Sequence, residues 1–138
     1  MDWMSTLFHI FRLPILVFVV NVILEKGGIY VVLPWIDMPM HFAGGASIGL
    51  AGIHFLAFLR TQGLVKELPF LLHTLFLVSF VGLAASLWEL WEFALDTVFG
   101  KHLPADLFDT MADIFFGLLG GAITSVAWYV LGKARSHR

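Results

Sequence analysis

The sequence has no cysteine, which excludes a disulfide framework and any thiolate metal site. Charge is also scarce. Asp, Glu, Lys and Arg make up 13% of the 138 residues, against about 25% in soluble domains. The net charge of -2 is too small to argue for nucleic acid as a partner or for a polybasic clamp on anionic lipid. No internal repeat, low-complexity linker or soluble domain interrupts the chain, and no nucleophile or cofactor fingerprint is present. No targeting signal stands out. Leu13 to Leu24 lies behind Arg12 as a signal-peptide core would, but Glu25-Lys26-Gly27-Gly28 follows without a small-residue cleavage pattern. A retained helix is the expectation.

What fills the chain is apolar. It is 59% hydrophobic, with a mean hydropathy of +0.90, values expected of an integral membrane protein. The fold class that follows is all-α, a single domain over residues 1–138 with about four bilayer crossings, since each helix needs about 20 apolar residues. The crossings run from about Leu7 to Leu24, Pro39 to Leu59, Pro69 to Val98 and Leu107 to Leu131. Arg12 and Pro14 make the start of the first interfacial or kinked. Ile29 to Ile36 is apolar but too short to span, so it reads as an interfacial or re-entrant segment. Pro39 and Pro69 suit the first turns of the second and third helices.

With four spans, both termini and the loop between the second and third helices share one side. That side carries Arg60, Lys66, Lys133, Arg135 and Arg138, with Arg12 nearby; the other carries Lys26 and Lys101. The positive-inside rule then makes the protein a multi-pass cell-membrane protein with cytoplasmic termini.

This topology gathers the acids. Seven of the ten acidic residues are Asp37, Glu89, Glu92, Asp96, Asp106, Asp109 and Asp113. Asp37 lies in the outer turns of the second helix, and Glu89 comes about 30 Å up the third, roughly one hydrocarbon thickness from Pro69. Asp109 and Asp113 open the fourth, so all three groups meet in the outer third of the membrane. Asp37 and His41 are i and i+4; Glu89, Glu92 and Asp96 are i, i+3 and i+7, as are Asp106, Asp109 and Asp113. Each set shares one helix face, where like charges repel and lipid raises the cost.

Such faces make sense if they turn inward on a shared cation or share protons. Asp37, His41, Glu89, Glu92, Asp109 and Asp113 are the expected metal ligands, with Asp96 and Asp106 as secondary candidates. Carboxylates with one imidazole suit a divalent ion such as Mg, Mn, Ca, Fe or Zn. The Glu-x-x-His pair of di-metal helix bundles is missing. Other readings stand beside this one. Asp106 and Asp109 can cap or complement the dipole of the fourth helix, and Asp96 can sit in loop water. The whole set can be a hydrogen-bonded polar knot. His54 and His73 stand apart and read as packing residues. Gly45-x-x-x-Gly49 and Gly117-x-x-x-Gly121 predict close packing of the second and fourth helices. Trp35, Trp88 and Trp91 fit an outer aromatic belt, Trp3 and Trp128 an inner one.

Taken in order, Asp37-x-x-x-His41, Trp-Glu-Leu-Trp-Glu-Phe at 88–93 and Asp-Thr-Met-Ala-Asp-Ile-Phe-Phe-Gly-Leu-Leu-Gly-Gly at 109–121 resemble the VanZ-like small membrane proteins, and more closely the YjdF-type branch. The resemblance covers roughly residues 35 to 125. VanZ-like members often carry Lys, Gln and Asn where this chain has Met38, Glu92 and Asp113, so this site is more acidic. The resemblance implies a cell-envelope setting, and for VanZ itself glycopeptide resistance, but no reaction.

Three functions follow as expectations. One is a metal-dependent enzyme or binder acting on an envelope lipid or lipid-linked head group, with Glu89 and Glu92 as catalytic carboxylates and membrane lipids as partners. Another is a proton or divalent-cation transporter, which an assembly of several copies (a homo-oligomer) would help to complete. The last is a structural or partner-binding protein held by the acidic knot.

Overall fold

The computed structural model describes residues 3–99 and 107–136. It is all-helical among these residues, in the order α1 (Trp3–Lys26), α2 (Ile29–Val32), a 3-10 turn (Pro34–Ile36), α3 (Asp37–Thr61), α4 (Phe70–Phe99) and α5 (Leu107–Ser136). Four of these helices are long and apolar enough to cross a membrane. The segment expected at the interface is the short α2 and 3-10 turn, entered through Gly28 at φ 69°, a left-handed conformation that glycine adopts without a Cβ penalty. Pro39 falls in the first turn of α3, where its missing N–H costs little. α1 runs unbroken through Pro14.

α3 is the central helix. In its most apolar window 44% of residues are buried, against 6% in α1. Its small residues explain this, because lipid tails offer helices no hydrophobic drive to associate and close packing must supply it. A Cβ on Gly45 would overlap the Gly117 carbonyl of α5, and one on Gly49 would stand 3.2 Å from Gly121 Cα. On the α5 side, a Cβ on Gly120 would overlap the Phe42 carbonyl. The backbones of α3 and α5 therefore run in near contact, as the paired glycine motifs predict.

α4 closes the third side. Gly52 faces Leu77, where an added Cβ would come within 2.8 Å, and the Ser125 hydroxyl donates to Thr74 Oγ1 across 3.5 Å. α3 ends in a Schellman motif: Gly63 N–H donates to Arg60 O (2.9 Å) and Leu64 N–H to Leu59 O (3.0 Å), with Gly63 at φ 71°.

The apolar core lies toward that end. Ile10, Ala51 and Phe58 form one buried cluster, and Ile53, Leu56 and Leu77 another. Trp3 meets Phe58 edge-on and His54 meets Trp128 edge-on, which places the two tryptophans expected for the inner belt at the same end. The opposite end of the bundle is left to the polar groups.

Candidate functional site

Asp37 opens α3 and His41 follows one turn later, so both side chains fall on one face. The α3–α5 glycine seam brings the first turns of α5 against that face, and α4 delivers Glu89 and Glu92 from the remaining side. The imidazole of His41 is the hub. Its Nε2 lies 3.5 Å from Asp37 Oδ1 and 3.7 Å from Asp113 Oδ1, and its Nδ1 lies 4.0 Å from Glu89 Oε1. Ligand atoms of Asp37, His41 and Asp113 all fall within 4.8 Å of one another, as do those of His41, Glu89 and Glu92.

Burial sharpens the electrostatics. Asp113 is only 4% exposed, yet its Oδ1 has no hydrogen-bond partner, and neither does the buried Oε1 of Glu89. An unpaired carboxylate oxygen away from water is expensive. Both oxygens lie within 4.0 Å of a His41 ring nitrogen, where positive charge or a shared proton would offset that cost. The other contacts are modest: Thr110 hydrogen-bonds Glu89 and Trp88 hydrogen-bonds Glu92.

Of the residues expected from the sequence, Asp37, His41, Glu89, Glu92 and Asp113 are brought together. Asp109 is exposed on α5, one turn before Asp113 and outside the converging atoms. Asp96 belongs to the end of α4 by its backbone, and Asp106 lies outside the described residues. His54 is exposed, and His73 is buried in α4.

Tyr30 and Asn21, both polar and near the site, were not anticipated from the sequence. Tyr30 of α2 hydrogen-bonds to Asn21 Oδ1 of α1. Burial, followed by the negative charges of Asp37, Glu92 and Glu25, pushes the Tyr30 phenol up to about 12, so it remains a donor. Asn21 is the only asparagine in the chain, and an amide within an apolar run was the signal available. Tyr30 was hidden in a segment read only as interfacial.

Beside the acids lies a cavity of about 350 Å³ between α1, α3 and α4. Its lining is aliphatic and aromatic, apart from His41, Asn21, Ser47 and the indole of Trp88.

Neither curated proteins nor solved structures yield a match to this chain. A family model does, over residues 4–134. Four helices long and apolar enough to cross a membrane agree with that family's description, and the chain belongs to the family described as "Predicted membrane protein (DUF2238)".

Proposed function

We propose that His41 Nε2, Asp37 and Asp113 hold a divalent cation facing the outer side of the membrane, and that the protein is a metal-dependent enzyme or binder acting on the head group of an envelope lipid. The observation that carries this reading is Asp113, which is almost fully buried and whose orphaned oxygen faces the imidazole. Two ligands at about 2.0–2.1 Å from a tetrahedral ion stand roughly 3.4 Å apart. The 3.5 and 3.7 Å separations from Nε2 need little adjustment to reach that.

The second ring nitrogen fits the same scheme. Metal-binding histidines usually donate their other N–H to a carboxylate, which fixes the tautomer and orients the ring. Glu89 Oε1, 4.0 Å from Nδ1, is the carboxylate placed to take that role once the gap closes to hydrogen-bond length. Three protein ligands leave a coordination position open, the arrangement of catalytic rather than structural sites. A cation there would polarise a phosphoryl or acyl oxygen or activate water, with Glu92 as the spare base. The resemblance to VanZ-like proteins supports the envelope setting, and the distribution of Lys and Arg supports an outward-facing site with both termini in the cytoplasm.

The test is metal analysis of protein purified in mild detergent without chelator. One divalent ion per chain, lost in Asp113→Asn and in His41→Gln, is the expected result. Equal metal content in wild type and Asp113→Asn overturns the reading.

The separations of 3.5–4.0 Å around His41 favour one competitor, an ion-pair knot in which the imidazolium is the only cation. That knot predicts metal-free protein whose thermal stability, rather than any bound ligand, falls in the same variants.

A further inference from the structure

The apolar cavity is continuous with the acidic centre through His41, which belongs to both. Gly44, Gly45 and Ile48 of α3 form its floor, while Phe18 of α1 and Ala84 and Trp88 of α4 form its walls. Phe18 and Trp88 meet edge-on at 5.6 Å and bridge α1 to α4. On the α1 rim, Ile15 and Phe18 are 46% and 48% exposed, on a surface that faces lipid in a membrane. The volume of about 350 Å³ falls within the range of about 300–1,000 Å³ typical of ligand pockets. At His41 it borders the acidic centre, the rest of its lining is mostly hydrocarbon, and the side opens on acyl chains. Such a shape matches an amphiphile better than a water-soluble metabolite or another helix.

We propose that this groove takes a single hydrocarbon chain of a phosphate-headed lipid, with the head group at His41 and the tail along Gly44 and Ile48 between α1 and α4. The placement of the head rests on the cation site proposed above, because four nearby carboxylates repel a phosphate unless a cation intervenes. The tail's seat rests on the groove alone. Lipid tails gain no transfer energy on leaving the bilayer interior, so shape and the anchored head must select this chain.

Gly44 offers a clean test. It lines the groove, and a Cβ added there would meet nothing within 4 Å. Gly44→Leu therefore fills the floor without touching the α3–α5 seam, and Ala84→Leu fills it from α4 as an independent variant. The probe is hexadecyl phosphate bearing a diazirine near the chain end, applied to protein in phosphatidylcholine nanodiscs with added magnesium or manganese. Photolabelling concentrated on Phe18, Ile48 and Ala84, and lost in whichever groove-filling variant retains wild-type thermal unfolding, is the expected result. Labelling spread evenly over lipid-facing residues such as Leu83 and Ile123, or unchanged by both variants, overturns the groove.

Labelling that falls on chelation and in Asp113→Asn supports the placement of the head. Groove labelling that persists in both conditions keeps the tail's seat and removes the metal-held head group.

Discussion

At His41 the two ring nitrogens face different partners, and this asymmetry assigns different roles to chemically similar acids. Asp37 and Asp113 share Nε2, and Glu89 has Nδ1. If the imidazole holds a cation through Nε2, Glu89→Gln keeps the ligands but loses the orienting charge. Cation affinity is then expected to fall about 10–100-fold, whereas Asp113→Asn should abolish binding; isothermal titration with manganese separates the two. Asp109→Asn should leave affinity close to wild type by the same measurement, since Asp109 is exposed and outside the converging atoms. Tyr30 gives the site a pH signature. Its folded-state phenol is raised to about 12, while an unfolded tyrosine ionises near 10. Between those values the unfolded chain has released a proton that the folded chain still holds, so stability falls as pH rises through that window. Tyr30→Phe should flatten this alkaline decline in thermal unfolding followed from pH 8 to 12.

The long helices were the most legible elements, because continuous apolar runs and the positions of Pro39 and Pro69 carry their signal directly. α3 begins at Asp37 and α4 at Phe70, each within two residues of its proline. The α3–α5 contact was legible too, since glycines four apart have few other uses in a span. What the sequence withheld was the difference between neighbouring glycines. Gly44 and Gly45 look alike on paper, but one faces open space and the other the Gly117 carbonyl. Gly44→Ala should therefore leave thermal stability in detergent unchanged or raise it by up to about 1 kcal/mol, through helix propensity and a stiffer unfolded chain. Gly45→Ala should cost on the order of 1–3 kcal/mol by overpacking, or prevent assembly of the bundle. Gly63, held at φ 71° in the Schellman turn, should cost about 1–2 kcal/mol on conversion to Ala through backbone strain alone.

For the whole molecule, i, i+3 and i+7 spacing put the acids of α4 and α5 on single faces, and the fold gathers Asp37, Glu89, Glu92 and Asp113 around His41, yet the spacing could not rank them. Asp109 and Asp113 share a helix face in the pattern, and only the turn between them separates an exposed carboxylate from a buried one. Periodicity reports direction, while burial depends on where the neighbouring helix stops. The same limit hid the role of Tyr30, which reaches Asn21 only because the chain doubles back. The expected orientation can be checked with C-terminal reporter fusions, which should fluoresce as a green fluorescent protein and stay inactive as alkaline phosphatase. The glycine seam has a final consequence. With backbone against backbone at Gly45–Gly117 and Gly49–Gly121, the seam has little soft padding to let the His41–Asp113 gap widen. If the proposed cation sits there, side chains carried on so closely joined helices would select it by radius, so small ions should displace calcium, which takes 6–8 oxygens at about 2.3–2.6 Å and needs room to gather them.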